Sequence, residues 1–280
     1  MNNFPKISII TPSFNQGKYI EETILSVINQ DYLNIEYLVI DGGSTDNTVD
    51  IIKKYENNIT YWVSEKDSGQ SEAINKGFKK ATGDIVCWIN SDDILMPDAL
   101  KTVSEYFVMN QDIDFLNGYT LRIDKSSKIL FNHFILQPKK WYAKHGVYYV
   151  SQQAMFWRTK VFDEIGYLDE TFHARMDQEF LVRLLLNNYK IGFVNSILGA
   201  IRIHEDTKTS QNSDIWENDK NELIKRYGDK FKFEYSKIFS CIYGLEKLIK
   251  GLYLRQFLFK RKWKGKDMKE LSKNYFVNKY

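Results

Sequence analysis

Residues 6–43 read KISIITPSFNQGKYIEETILSVINQDYLNIEYLVIDGG, and this stretch decides the fold. Its first six residues form an apolar, β-branched run that predicts a buried parallel strand, which PSFN at 12–15 ends. Apolar side chains then recur on one helical face over residues 20–28. Residues 36–40 predict a second strand, closed by DGG. A strand, a helix and a strand in this order are typical of a parallel sheet with crossover helices.

The same alternation continues through the first third of the chain. Further elements are predicted at residues 45–52 (helix), 59–63 (strand), 68–81 (helix) and 84–90 (strand), and a helix whose first turn contains Pro97 follows. We therefore predict an α/β fold with a doubly wound, mostly parallel, Rossmann-like sheet. Ligands bind such sheets beyond the carboxyl ends of the strands. Thr11, Asp41 and the pair Asp92–Asp93 follow three strand ends, so we expect one site at this rim.

The rest of the chain is less regular. It predicts a strand pair at 114–123 and 128–134, a helix within 172–188, a strand or strand pair at 190–203, a helix at 214–227 and a long amphipathic helix over 231–263. We divide the chain into a body of residues 1–229 and a helical tail of residues 230–280. Within the body we expect two halves, residues 1–110 and residues 111–229.

The charge is distributed unevenly. From Lys230 to the end, fourteen Lys or Arg stand against four Asp or Glu, a net charge of +10, and because the whole chain is +3, the residues before Lys230 carry −7. An acidic body with a basic tail suggests two separate roles.

The two cysteines and the N-terminus indicate in which cellular compartment the protein is expected. Cys87 and Cys241 lie far apart and form neither a disulfide framework nor a metal-ligand pair, and Cys87 is predicted to be a buried thiol. The N-terminus lacks the pattern of a signal peptide, and no apolar run approaches the roughly 20 residues of a membrane span. We expect a cytoplasmic protein that is soluble or peripheral on the inner face of the cell membrane.

Acidic residues at the predicted rim are the first candidates for chemistry. Asp92 and Asp93 follow an apolar strand, where a divalent cation that bridges a diphosphate is their natural partner. The alternative is a cap on the following helix. Asp41, before two glycines, suits contact with a base and ribose, and the alternative is a turn residue.

Asp177 and His204 are the second pair of candidates. Asp177 begins a helical pattern, so it is either a general base for an acceptor hydroxyl or a favourable helix N-terminal acid. Glu179 competes with it for the role of base. His204 ends a strand-like run and is either a metal ligand or diphosphate contact, or a structural histidine.

Four segments of the chain resemble glycosyltransferase family 2. They are ISIITPSFNQGKYIEETILSVINQ, YLVIDGGSTDNTVDII, DSGQSEAINKGFKKATGDIVCWINSDDILMPDAL with its DXD-type metal motif, and RMDQEFLVRLL with its acid-containing helix. The resemblance covers about the first 210 residues and implies a GT-A fold, in which residues 1–110 would be the nucleotide-binding half and residues 111–229 the acceptor-binding half. It also implies an inverting transfer of sugar from a nucleotide-sugar, with UDP-sugars favoured, and dependence on Mn²⁺ or Mg²⁺.

The resemblance assigns roles to individual positions. It implies that the nucleoside pocket is lined by Thr11, Pro12, Ser13 and Asn15, that Asp41 binds the base, and that Ser44 and Gln70 are further nucleotide contacts. Asp92 contacts the ribose or the metal, Asp93 coordinates the metal, Asp177 is the catalytic base, and His204 lies near the diphosphate as a metal-ligand candidate. Two positions depart from the family pattern: Met176 replaces the usual Glu of an acid pair, and Asn90 begins the metal motif.

The expected acceptor is a glycan or a lipid-linked sugar, in bacterial surface polysaccharide assembly by analogy with the family. The alternative is a nucleotide-sugar-binding or scaffold protein with a degenerate site. A sugar nucleotidyltransferase and a dehydrogenase are disfavoured because neither glycine-rich phosphate loop is present.

For the tail, apolar helical spacing with aromatic residues favours an anionic membrane surface over nucleic acid. Packing on the body or on a second subunit, as in a homodimer, is the equal alternative.

Overall fold

A computed structural model describes residues 4–147, 150–205, 207, 213–232 and 235–275. Its strands are β1 Ile7–Ser13, β2 Ile35–Asp41, β3 Tyr61–Ser64, β4 Ile85–Trp88, β5 Ile94–Leu95, β6 Phe115–Asp124, β7 Ile129–His133, β8 Met155–Arg158 and β9 Ile191–Ile203. Its helices are α1 Ile20–Ile28, α2 Thr48–Lys54, α3 Gln70–Lys80, α4 Ala99–Met109, α5 Lys140–Ala143, α6 Lys160–Ile165, α7 Met176–Leu186, α8 Ser213–Tyr227, α9 Ser236–Ile249, α10 Leu252–Trp263 and α11 Met268–Tyr275. Short 3₁₀ turns lie at Glu56–Asn58 and Gln152–Ala154.

The strands form one sheet in the order β3-β2-β1-β4-β8-β6-β9-β5, and β7 pairs with β6. The first four strands are parallel, as predicted, and every residue of β1 is buried because helices cover both faces of this half. The chain moves outward from β1 to β3 and then returns to the other side of β1 to form β4. This reversal between β1 and β4 is the switch point at which such sheets bind ligands.

The predicted end of β1 is wrong by two residues. We expected the tetrapeptide at 12–15 to end the strand at Thr11, but β1 pairs with β2 as far as Ser13. The partner on the other side, β4, ends opposite Ile10. Beyond that point β1 has one neighbour, and proline is tolerated where one side of a strand carries no ladder.

The second half of the sheet is mixed. Strand β8 lies antiparallel between β4 and β6, and it was not predicted from the sequence. The predicted pair of β6 and β7 is confirmed as antiparallel, and β9 is one long strand parallel to β6. Pro97 precedes α4 by two residues rather than lying in its first turn, because Asp98, which lies between them, adopts a left-handed conformation and α4 begins only at Ala99.

The tail is not the single long helix that the sequence predicted. Gly251 has a φ of +67°, a conformation that favours glycine, and it separates α9 from α10. Phe259, Trp263 and Leu271 bury their side chains against β6 and β7, so the described part of the tail packs on the body. None of the helices in the described residues is long and apolar enough to cross a bilayer.

Candidate active site

The predicted polar rim forms at the switch point. Ser13 at the end of β1 lies opposite Asp41 at the end of β2, and the turn with Asp92 and Asp93 follows β4 on the other side. His204 directly follows β9 and lies against the same turn, since its Nε2 is 3.0 Å from Asp92 Oδ2. Residues from four distant parts of the sequence therefore meet at one edge of the sheet.

Asp41 is the centre of a hydrogen-bond network under the first two strand ends. Its Oδ2 accepts from the backbone N–H groups of Gly43 and Ser44 (3.1 and 2.8 Å) and from Ser64 Oγ (2.6 Å), while Oδ1 accepts from Ser44 Oγ at 2.5 Å. Asp41 is fully buried. A carboxylate offers about four acceptor sites, and Oδ1 therefore retains one for a further donor.

Asn15 joins the loop after β1 to the loop after β2. Its backbone N–H donates to Ser44 Oγ at 2.7 Å, and its side-chain oxygen accepts from the Thr45 N–H at 2.8 Å. Asn15 adopts a φ of +51°, which asparagine tolerates better than most residues. These contacts fix the shape of the rim where the nucleoside is expected.

The other residues expected in the nucleoside pocket differ in position. Thr11 is buried below the rim, where its Oγ1 is 3.1 Å from the Tyr37 hydroxyl, and Pro12 is buried beside it. Ser13 Oγ is buried without a hydrogen-bond partner among the described residues, and a polar ligand at the rim is one way to satisfy it. Gln70 at the start of α3 donates to Asn90 Oδ1 at 2.7 Å.

Asp93 is held inside the turn by three protein donors. Its Oδ1 accepts from the Arg202 N–H at 3.0 Å, and its Oδ2 accepts from Asn90 Nδ2 at 3.1 Å and Gln153 Nε2 at 2.5 Å. Burial and the negative charge of Asp92 raise the pKa of the Asp93 carboxyl well above its usual range. A cation at this turn would relieve the repulsion between the two acids.

Asp92 and His204, the two further metal-ligand candidates, are in direct contact at this turn. The Asp92 Oδ2 and His204 Nε2 atoms are 3.0 Å apart, which is a direct hydrogen-bond distance. The carboxylate oxygens suit Mg²⁺ or Mn²⁺, whereas an imidazole nitrogen is a ligand that softer transition metals prefer. Within the described part of the chain, no three His, Cys, Asp or Glu side chains form a ready-made metal-binding group.

Arg202 is a central residue that the sequence analysis missed. It is 1% exposed, and its guanidinium donates to the Asp92 carbonyl oxygen (2.9 Å), to Ser127 Oγ (2.9 Å) and to Glu22 Oε2 (2.6 Å). Its Cζ also lies 5.0 Å from the Tyr19 ring centroid. The only signal was a charged residue within the apolar run IRIH, because Glu22 is 180 residues away in sequence.

Asp177 lies in the first turn of α7, as predicted. Its Oδ1 accepts from the Gln178 N–H at 2.8 Å. Although the side chain is partly exposed, the atoms packed around it desolvate the carboxylate and raise its pKa to about 6. Neighbouring Arg175 and the hydrogen bond from Gln178 offset part of that effect. A carboxyl with a pKa near 6 is ionised at neutral pH and is a stronger base than an ordinary aspartate.

Glu179, the alternative candidate for the general base, is held in a buried ion pair and hydrogen-bond network. It is 1% exposed, and its carboxylate accepts from Arg183 Nε and Nη2 (2.8 Å each) and from the Tyr227 hydroxyl (2.7 Å). These bonds join α7 to α8, which leaves Asp177 as the acid available to a ligand.

Asp219 of α8 holds the loop that leads into α7. Its Oδ2 accepts from the backbone N–H groups of His173, Ala174 and Arg175 at 3.0, 2.7 and 2.9 Å. Ser71 of α3 also donates to the Phe172 carbonyl oxygen at 3.0 Å. The helix that begins with Gln70 therefore ties the Asn90–Asp93 turn to the loop that positions Asp177.

The chain is similar to known glycosyltransferases. Residues 8–166, more than half of it, match the model of the family described as Glycosyl transferase family 2. The chain is 32% identical over 188 residues to the uncharacterized glycosyltransferase Rv1514c of Mycobacterium tuberculosis, covering 66% of this chain and 71% of that protein. It is also 36% identical over 138 residues to the putative teichuronic acid biosynthesis glycosyltransferase TuaG of Bacillus subtilis, covering 48% of this chain and 54% of TuaG.

Solved structures show the same fold. S. aureus TarS in complex with UDP-GlcNAc matches with a TM-score of 0.61 at 22% identity, over 78% of this chain and 66% of that one. The mannosyltransferase PcManGT of Pyrobaculum calidifontis, in complex with GDP-Man and Mn²⁺, matches with a TM-score of 0.57 at 15% identity, over 74% and 59% of the two chains. The chain thus spans less than two thirds of both structures, and the GT-A fold is what they share with it.

Proposed function

The chain belongs to glycosyltransferase family 2, and we propose that it transfers a sugar from a UDP-sugar to an acceptor hydroxyl with inversion at the anomeric carbon. The observation that carries the proposal is the meeting of Asp41, the Asp92–Asp93 turn and His204 at the switch point, with Asp177 tied to that rim through α3. The site thus contains groups for a nucleoside, for a diphosphate with its cation, and for a proton.

Asp177 is the proposed general base. It removes the proton from the acceptor hydroxyl, whose oxygen forms the new bond to the anomeric carbon. The bond from that carbon to the nucleoside diphosphate breaks at the same time, so a single displacement inverts the configuration. A positioned base contributes about 10²–10⁴-fold in rate, and the raised pKa of Asp177 suits this task at neutral pH.

Asp92, His204 and the remaining acceptor site of Asp93 would hold a divalent cation. The cation, when bound, supplies Lewis-acid stabilisation of the leaving diphosphate. The chain contributes positioning: Gln153, Asn90 and the Arg202 backbone orient the Asp93 carboxylate, while the Arg202 guanidinium secures the carbonyl of Asp92. Preorganised groups of this kind usually provide the largest catalytic effect.

The acceptor is proposed to be a glycan or lipid-linked sugar in the assembly of a bacterial surface polysaccharide. The name of TuaG, a putative teichuronic acid biosynthesis glycosyltransferase, supports this setting. The UDP-GlcNAc complex of TarS supports UDP over GDP as the donor nucleoside, although the GDP-Man complex of PcManGT makes GDP the second candidate.

Calorimetric titration of UDP tests the donor site. We expect binding in the presence of Mn²⁺, its loss in EDTA, and its loss in Asp93→Ala. The matched control is Asp112→Ala, which removes an exposed acid whose partner is Lys190. Binding of GDP or dTDP in place of UDP would reassign the donor nucleoside. UDP binding that is unchanged both by EDTA and by Asp93→Ala would refute the metal site.

The stereochemistry of transfer tests the mechanism. Once a donor is identified, the product formed by the active protein is examined by proton NMR, and an inverted anomeric configuration is expected. Retention would refute a single displacement.

The alternative function is nucleotide-sugar binding without transfer, and buried Met176 in place of the usual acid favours it. Asp177→Asn separates the two functions, because a binding protein keeps its function in this variant whereas an enzyme loses turnover.

A further inference from the structure

Three long polar side chains of helix α9 lie on the face that packs against the body. Glu246 accepts from Lys139 Nζ at 2.7 Å and from the Tyr142 hydroxyl at 2.6 Å. The Tyr243 hydroxyl accepts from the Leu136 N–H at 2.9 Å, and Lys247 is 6% exposed. These contacts fix the orientation of the helix about its own axis.

Because these polar side chains face the body, the outer face of α9 is mainly apolar. Its exposed apolar side chains recur at three- and four-residue spacing, with Ile249 reaching 85% exposure, and Lys237 is the exposed charged residue beside them. The apolar residues are Ile238, Cys241, Ile242, Leu245, Leu248 and Ile249. A solvent-facing helix normally has the opposite arrangement, with polar residues outward. A contiguous exposed apolar stripe of this kind marks an interaction surface.

Helix α10 repeats the pattern. Leu252, Phe259 and Trp263 are buried against the body, while Leu254 and Phe257 are 62% and 61% exposed on the opposite face. Leu258 adjoins them and is also exposed. The helix thus has two apolar faces, of which the body covers one.

Helices α9 and α10 are neighbours on the body. Tyr243 of α9 bonds to Leu136, and Phe259 of α10 packs edge-on against Phe134 with ring centroids 5.9 Å apart, so both helices lie on the segment at 134–136. The helices also touch each other where Lys247 Nζ lies 4.7 Å from the Tyr253 ring centroid. We call the outward apolar residues of α9 and α10 the tail platform.

Basic side chains border the tail platform. At about 100° per residue, Lys260 and Lys264 fall on one flank of the apolar stripe of α10 and Lys262 on the other, and all three are exposed. Among the described residues, none of the three takes part in an ion pair within 4.0 Å. Arg261 lies at the end of the stripe itself.

We propose that the tail platform docks on a lipid bilayer surface with anionic headgroups. The apolar side chains enter the headgroup–acyl boundary, and the flanking lysines remain at the level of the phosphates. A second copy of the chain fits less well because pairing two platforms would bring together two segments that each carry a net charge of +10. An anionic surface complements that charge. This inference does not depend on the proposed catalytic function.

Vesicle co-sedimentation with the full-length chain tests the proposal. The vesicles contain either phosphatidylcholine alone or equal parts of phosphatidylcholine and phosphatidylglycerol. The platform variant combines Leu254→Gln, Phe257→Gln and Leu258→Gln, and a charge variant combines Lys260→Gln with Lys262→Gln. The matched control is Met109→Gln, which alters an exposed apolar residue outside the tail platform, at the end of α4.

We expect binding to anionic vesicles that falls at least tenfold in the platform variant, falls severalfold in the charge variant or at high salt, and is unchanged in the control. Circular dichroism and thermal unfolding verify that the variants fold, which their exposed positions favour. Failure of the parent chain to bind, or equal binding by the platform variant, would overturn the proposal. Light scattering that shows a dimer dissociated by the platform changes, without vesicle binding, would assign the surface to a second copy instead.

Discussion

Replacing Asp177 by asparagine should stabilise the fold while it removes turnover. Burial raises the pKa of this carboxyl from 3.8 to about 6, and a shift of that size corresponds to about 3 kcal/mol by which folding disfavours the charged form. Because the side chain is partly exposed, solvent screens part of this cost. We therefore expect Asp177→Asn to raise the free energy of unfolding by about 1–2 kcal/mol at pH 7.

The gain has a characteristic pH dependence. The folded pKa lies above the unfolded value, so the parent protein carries no penalty below pH 3.8 and the full penalty above about pH 6. The difference in urea unfolding free energy between variant and parent should accordingly grow between these limits.

The loss of turnover should accompany this gain. We expect kcat to fall by about 10²–10⁴-fold in Asp177→Asn, and in the parent kcat/KM should fall as pH drops below about 6. A variant that is less stable than the parent at pH 7, or that keeps its turnover, would refute the reasoning and leave Asp177 as a helix N-terminal acid. Glu179→Gln is the informative comparison, because it breaks a buried ion pair and should destabilise the fold.

Three further outcomes follow from the contacts around the site. Asp219→Ala removes the acceptor for three backbone donors at 173–175 and should lower the free energy of unfolding by about 2–3 kcal/mol. Asp219→Asn keeps an acceptor and should lower it by about half as much. Chemical denaturation measures both changes. Glu22→Ala leaves Arg202 buried without its carboxylate and should cost about 2–3 kcal/mol, and a cost near zero in thermal unfolding would show that the pair is dispensable. His204→Ala should weaken Mn²⁺-dependent UDP binding about 10–100-fold while binding in EDTA stays at its baseline, and unaltered Mn²⁺ dependence in calorimetry would exclude His204 from the metal site.

The sequence predicted the parallel half of the fold well because the pattern there is local. Strands β1 to β4 are short apolar runs separated by amphipathic helices, and each can be recognised from a window of about ten residues. Strand β8 could not be recognised in this way, because MFWR is four residues long and its place between β4 and β6 is set by pairing with distant strands. The tail helices were predicted as one because the apolar residues keep their helical spacing across Gly251. The sequence pattern therefore does not show that the chain breaks there.

The site was predictable as far as residue type at strand ends allows. Thr11, Asp41 and the Asp92–Asp93 turn were expected at one rim, and the structure places the acids there while Thr11 is buried below it. His204, which the resemblance places near the diphosphate, lies against the same turn. The roles of individual oxygens were not readable, since Gln153 and Arg202 reach Asp93 from far along the chain. The choice between Asp177 and Glu179 also required the structure, because Arg183 and Tyr227 engage only the second.

The insertion of β8 beside β4 has a consequence for synthesis on the ribosome. The four parallel strands are complete once Trp88 has emerged, but the antiparallel partner of β4 begins only at Met155. During elongation of the intervening residues, β4 presents an open, apolar edge to other nascent chains. The nascent N-terminal half is therefore most prone to misassociate in this interval, and slower translation between β4 and β8 would lengthen the exposure.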